Sequence, residues 1–358
     1  MQKIPLALLG GMVGALALTL LGTAQTPRLS TPEEVARVEV LRRALPAVVK
    51  IVALEEDPTP GTDGRVFGSG FFYTQGRIVT NFHVVDGVRN IRVVLHNGRE
   101  FPAEVFALDK GLDIAILSVR GVVAPATLSF GSSNSLSVGM GVVVIGSPLG
   151  QRNMVSYGIL SRIGPPEEVP DAPSEVGLEI GNALSTDART EGGNSGGPML
   201  NLQGKVIGVM DAVLGSLSGL SGFGIAIPAD QVRQSVEDLE RFGVAQRGWL
   251  GASLVSLDDL DPILLSRLGL VSGQGVMLDK IDRASPAATA GLRGATRDNR
   301  NKLVSLGDVL LAINGRPVRN PAEVIQLVAS YRPGDKIKLT LWRSGKKVEA
   351  TITMITRR

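Results

Sequence analysis

Apolar positions from Ala47 to Met210 come in short β-branched runs broken by Gly, Asn and Pro. Residues 48–54, 77–80, 91–95, 113–119, 142–145, 155–163, 178–186 and 205–210 carry them. Short strands at this spacing, with turn residues between, predict an all-β sandwich or barrel. His96-Asn97-Gly98 is a hairpin turn. Two stretches keep a helical period instead. Thr31-Pro32-Glu33-Glu34 reads as a helix start, with a threonine cap, a proline at the first helical position and a glutamate closing a capping box. That helix should run to about Leu45 and end before Pro46. Val232, Val236 and Leu239 repeat at i, i+4 and i+7, and Gly243 stops the second helix.

After Gly243 the pattern changes. Residues 247–355 have strands near both ends, an Ile-Asn-Gly-Arg turn, and a helix over 321–330 capped by Asn320 with Glu323 in its first turn. They read as a separate domain behind a first domain over 47–243, with a linker and helix over 25–46. Residues 1–24 differ from both. Lys3 precedes a stretch, 4–21, that is apolar apart from Thr19, and Gly22-Thr23-Ala24 is a small-x-small triplet. This predicts a signal peptide or an uncleaved anchor, since a bilayer span needs about 20 apolar residues. Either outcome places the bulk of the protein outside the cytoplasm, in the periplasm or cell envelope.

Composition narrows the chemistry. The 37 basic and 34 acidic residues are interleaved, leaving a net charge of +3 with no basic stripe for nucleic acid. There is no cysteine, which excludes disulfides and thiolate sites, and with only two histidines no zinc site is expected. No Gly-x4-Gly-Lys-Ser/Thr pattern occurs, so no nucleotide is implied and no cofactor is expected.

One segment stands out for catalysis: Gly192-Gly193-Asn194-Ser195-Gly196-Gly197-Pro198. A serine nucleophile needs a sharp turn that exposes Oγ and lets backbone N–H groups converge, and neighbouring glycines permit both. Alone, the segment also fits an ordinary Gly-rich hairpin turn. Acyl transfer needs a base. His96 sits in the hairpin and reads as a solvated turn residue, whereas His83 follows the β-rich run 78–82; alone, it also fits a structural histidine. Asp113, at the mouth of the apolar strand 114–117, is the candidate acid; Asp109 and Asp86 read as turn residues. The chain order His…Asp…Ser differs from the Ser…Asp…His of α/β-hydrolases and the Asp…His…Ser of subtilisins.

Four segments together carry a family resemblance. They are Gly68-Ser69-Gly70-Phe71 with 78–85; Asp113-Ile114-Ala115-Ile116-Leu117; Thr186-Asp187-Ala188 leading to 193–198; and Gly222-Phe223-Gly224-Ile225-Ala226-Ile227-Pro228. The chain resembles the HtrA/Deg family of trypsin-like serine proteases with PDZ domains. The resemblance implies a mainly β fold: a chymotrypsin/trypsin-like double β-barrel followed by a β-rich PDZ domain with short helices. It implies His83, Asp113 and Ser195 as the triad, and the N–H groups of Gly193 and Ser195, with Asn194, as the oxyanion hole. The S1 pocket falls to Thr190, Phe223, Gly224 and Ile225. No acid stands at its floor, which predicts small or medium aliphatic P1 residues. Trp249, Leu250, Gly251 and Ala252 match the PDZ carboxylate-binding loop. Implied partners are unfolded polypeptides and their C-termini, and further copies of the chain in a homotrimer or larger oligomer. Residues 164–177 match the family's sensor loop in position. The insertion 294–305 reads as a solvated loop. In one departure, Glu191-Gly192 stands where the family usually has Asn-Pro. Glycine loosens that turn, so the oxyanion loop is expected to rest in an inactive shape. The competing reading is a non-proteolytic chaperone or PDZ scaffold on a protease fold.

Overall fold

The computed structural model describes residues 31–58, 61–147, 150, 153–164, 182–213, 224–271, 273–300 and 302–355. The apolar segment 4–21, nearly all of 164–177, and Phe223 lie outside them. Helix α1 (Pro32–Ala44) begins as the sequence predicts, with Thr31 Oγ1 accepting the Glu34 N–H at 3.1 Å.

The strand-rich region folds as two closed six-stranded barrels. The first contains β1 (Val48–Glu55), β2 (Arg65–Thr74), β3 (Arg77–Thr80), β4 (Val88–Val94), β5 (Glu100–Asp109) and β6 (Ile114–Val119), ordered β1-β2-β3-β6-β5-β4. The second contains β7 (Gly141–Gly146), β8 (Met154–Gly164), β9 (Ala183–Thr186), β10 (Pro198–Asn201), β11 (Val206–Val213) and β12 (Gly224–Pro228), ordered β10-β11-β12-β9-β8-β7. Helix α2 (Ala229–Phe242) follows and ends at Gly243, which takes a φ of 73°.

The period of two sorts each strand between cores. Ala115 and Leu117 of β6 join the cluster inside the first barrel, while Ile114 and Ile116 join the one shared between the barrels. Ala226 of β12 fills the second barrel, and Ile225 and Ile227 face the shared core. Val232, Val236 and Leu239, the predicted stripe of α2, cover that core. The floor between the barrels is therefore apolar and packed, which fixes one barrel's loops against the other's.

Two expectations about the acids of the first barrel change. The strand placed at 113–119 begins at Ile114, and Asp113 leaves β geometry with a φ of 54°. Asp109, read as a turn residue, ends β5 and is 4% exposed. It accepts hydrogen bonds from Ser235 Oγ at 2.5 Å and the Leu112 N–H at 3.2 Å, and forms an ion pair with Arg247. A carboxylate leaving water needs such partners, and they come from distant sequence. His96 is exposed in its hairpin, where the Gly98 N–H donates to Leu95 O at 2.8 Å.

The C-terminal domain contains β13 (Ala252–Ser256), α3 (Pro262–Arg267), β14 (Val276–Ile281), α4 (Pro286–Thr289), β15 (Thr296–Arg297), β16 (Leu303–Ser305), β17 (Val309–Ile313), β18 (Arg316–Pro317), α5 (Pro321–Ser330), β19 (Lys336–Arg343) and β20 (Lys346–Thr353). Its main sheet runs β13-β14-β17-β19-β20. The predicted cap of α5 is present: Asn320 Oδ1 accepts the Glu323 N–H at 2.9 Å, and Glu323 accepts the Arg319 N–H at 2.8 Å. The 294–305 insertion is more than a loop. It forms the hairpin β15–β16, and Arg297 reaches Asp279 at 2.8 Å. Arg332, after α5, reaches back to Asp238 of α2 at 2.6 Å and to Gln246 O at 2.9 Å. Among the described residues no helix is long and apolar enough to cross a membrane.

Candidate active site

The acid and base of the predicted triad meet on the first barrel. β3 runs into Asn81-Phe82-His83, and the β5–β6 turn delivers Asp113 beside it. Two bonds hold the turn: the Phe82 N–H and the Asn81 side-chain amide both donate to Asp113 O, at 3.1 and 2.9 Å. The carboxylate then engages two of the three nitrogens of His83. Oδ1 accepts the backbone N–H at 2.9 Å, and Oδ2 lies 2.6 Å from Nδ1. A carboxylate can only accept, so Nδ1 carries the proton and Nε2 is left as the basic nitrogen. The Asp113 side chain is 7% exposed and that of His83 46%, so a buried acid backs an imidazole open to the cleft. Asp tolerates the left-handed backbone conformation this turn requires better than a branched residue would.

The second barrel supplies Ser195 on the turn leading into β10. Glu191-Gly192-Gly193-Asn194 forms a tight turn in which the Asn194 N–H donates to Glu191 O at 3.1 Å and Gly193 takes a φ of 99°. At Gly196 the constraint is space. A Cβ there would lie 2.2 Å from Ser69 O and 2.4 Å from Thr80 Oγ1. Ser69 of β2 ties the turn to the first barrel: its N–H donates to Ser195 O at 2.8 Å, and its Oγ donates to Gly193 O at 2.7 Å while accepting the Ser147 N–H at 2.8 Å. Sequence reasoning placed Ser69 within a family motif and gave it no role; its function in the turn depends on partners more than 70 residues away.

Ser195 Oγ donates to the main-chain oxygen of Asp211 at 3.0 Å. The Asp211 carboxylate in turn belongs to a group with His83 and Asp113 in which one polar atom from each lies within 4.8 Å of the others. Ser195 is thus linked to the imidazole and the acid through Asp211, a residue that no motif in the sequence singles out. Asp211 follows the apolar run 206–210, where the strand predicted from the sequence ends, although β11 continues past it to Val213.

Of the S1 residues, Thr190 and Gly224 face each other, and a Cβ on Gly224 would sit 2.8 Å from Thr190 Cγ2 and 2.5 Å from Met210 Cε. Thr190 is fully buried. Ile225 packs into the shared core instead of beside them, and Phe223 lies outside the described residues.

A second concavity lies in the C-terminal domain. Trp249, Leu250, Gly251 and Ala252 line one wall of a groove of about 470 Å³, with Val324, Ile325 and Val328 of α5 opposite. β13 pairs with β14 along one edge and ends the main sheet, so its other edge faces this groove. The Gly248 N–H is anchored to Tyr331 O at 2.8 Å, which ties the loop to the end of α5.

Comparison with known proteins agrees with both halves. A trypsin-like peptidase domain model matches residues 68–209, and a PDZ domain model matches residues 248–354. The chain is 34% identical over 283 residues to a probable periplasmic serine endoprotease DegP-like of Rhizobium meliloti (strain 1021), covering 79% of this chain and 52% of that protein. A protein of the same description from Halomonas elongata is 34% identical over 301 residues, covering 82% of this chain and 58% of its own length. The chain thus spans little more than half the length of the curated relatives it matches. Among solved structures, the HtrA-type protease AlgW with tripeptide aligns at 29% identity and a TM-score of 0.71, covering 90% of this chain and 97% of that one. The serine endoprotease from Yersinia pestis aligns at 26% identity and a TM-score of 0.62, covering 91% and 98%.

Proposed function

Because this chain belongs to the HtrA/Deg family of trypsin-like serine proteases with a PDZ domain, we propose that it is an ATP-independent serine endopeptidase that degrades unfolded or damaged cell-envelope proteins. The periplasmic description of its relatives supports an extracytoplasmic location. The observation that carries the reading is His83 Nδ1 held 2.6 Å from a buried Asp113 carboxylate, with Ser195 Oγ bonded to the main chain of Asp211, whose carboxylate lies within 4.8 Å of both.

In this mechanism Ser195 Oγ attacks the scissile carbonyl as His83 Nε2 takes its proton. Asp113 stabilises the resulting imidazolium and keeps the ring in the required tautomer. The N–H groups of Gly193 and Ser195, with Asn194, stabilise the oxyanion. His83 then gives its proton to the leaving amine, and water releases the acyl group by the same steps in reverse. Thr190, Gly224 and Met210 bound a shallow apolar S1 pocket suited to Ala, Val or Ile at P1. The free edge of β13 opposite α5 suits an extended C-terminal peptide, with its carboxylate at residues 249–252, and occupancy of that groove raises protease activity. The working assembly is a homotrimer or larger.

One observation favours the alternative of a non-proteolytic chaperone or scaffold, or a resting state of the enzyme: the Ser195 hydroxyl donates to Asp211 O and not to His83. Casein digestion with and without an apolar C-terminal peptide, alongside fluorophosphonate labelling, separates these readings. Cleavage and labelling that both disappear in Ser195→Ala are expected. Absence of labelling in the wild-type protein, with and without the peptide, overturns the enzyme reading.

A further inference from the structure

Asp211 is placed where a second acid can act on the triad. The β11–β12 register passes from Met210↔Ala226 to Ala212↔Ile225, so Asp211 is the extra residue of a β-bulge. Bulges beside active sites re-aim a side chain that regular pairing would send elsewhere. Here the neighbours Val209 and Met210 both pack into apolar cores. Asp211 is itself 5% exposed, yet its carboxylate joins His83 and Asp113 within 4.8 Å. Two charged carboxylates buried close together repel each other, and positive charge developing beside them offsets that repulsion. In acyl transfer that charge develops on His83.

We propose that Asp211 is a positioning residue of this active site, a second carboxylate that acts through His83 by stabilising the imidazolium formed as Ser195 loses its proton. The inference rests on the endopeptidase reading above. Two unit charges at this separation interact strongly in a half-buried site. Because the charge on His83 exists at the transition state and not in the bound ground state, the effect falls on turnover and not on substrate affinity.

The test is steady-state hydrolysis of a peptide with valine at P1 by wild type, Asp211→Asn and Asp211→Glu, with thermal unfolding as the folding control. Asn keeps the shape without the charge, and Glu keeps the charge. The expected result is a fall in kcat of about 10- to 100-fold for Asp211→Asn, with KM within about twofold, and partial recovery in Asp211→Glu. A second measurement needs no turnover: in the Ser195→Ala background, the downfield proton resonance of the His83–Asp113 bond should move in Asp211→Asn. An active wild type whose Asn variant keeps kcat within about twofold, or loses only KM, overturns the inference and leaves the enzyme reading intact. A proton resonance unmoved by Asp211→Asn also overturns it. An inactive wild type counts against the enzyme reading, and the resonance then decides the placement of Asp211 independently.

Discussion

The two barrels prepare their shares of the cleft differently. The first holds acid and base already joined: Asp113 takes both the backbone and ring N–H of His83, and its own carbonyl is pinned by Asn81 and Phe82. The second presents Ser195 on a turn of glycines, with the hydroxyl engaged by Asp211 O. Proton transfer tolerates little error in hydrogen-bond geometry, so it is served by hydrogen bonds made before substrate arrives. The nucleophile must approach a carbonyl that is absent until then, and a turn tied by Ser69 and free at Gly192 leaves room for that adjustment.

If the first barrel's half is the pre-formed one, its disruption should cost most. Asp113→Asn would leave the ring in the wrong tautomer, and kcat on a peptide substrate should fall by about 10⁴-fold with the fold retained by circular dichroism. Next comes the support beneath that turn. Asp109→Ala removes the carboxylate facing Arg247, Ser235 and Leu112, and should destabilise the protein by about 3 kcal/mol in urea unfolding. A loss below about 0.5 kcal/mol would show that the β5–β6 turn stands without it.

Changes in the second barrel should be smaller and should alter selectivity or poise. Gly224→Val places methyl groups against Thr190 and Met210, and kcat/KM for valine at P1 should fall about 10- to 100-fold, less for alanine. Gly192→Pro has the smallest expected effect and is the sharpest test of the contrast. Position 192 precedes a residue with φ of 99° in a tight turn, where proline is favoured, and no atom lies within 4 Å of a Cβ there. Stability should rise by about 0.4–1 kcal/mol, measured by thermal unfolding, with peptide hydrolysis raised and not lowered. Lower activity would mean that the loose turn is needed for catalysis.

Local patterns were legible in the chain wherever the cause is local. The Thr31 and Asn320 caps, the apolar stripe of α2, the Gly243 stop and the 96–98 hairpin each depend on a few neighbouring residues, and each appears where the pattern puts it. Asp109 was misread because its burial depends on Ser235 and Arg247, both more than 120 residues away. The 294–305 hairpin was missed because short pairs of strands with charged residues carry little alternation.

By itself the sequence determined the kinds of element, the two-domain plan and the chemistry available: one serine turn, one histidine outside a hairpin, and an acid ahead of an apolar strand. Tertiary structure alone decided which groups meet. Closure of the barrels brought Ser69 under the Ser195 turn, and a one-residue bulge in β11 aimed Asp211 at His83 and Asp113. The reason is physical. Caps, stripes and turns are set by energies between neighbours in the chain, whereas a cleft is set by register and packing between strands far apart in it, where a single extra residue changes which side chain faces inward.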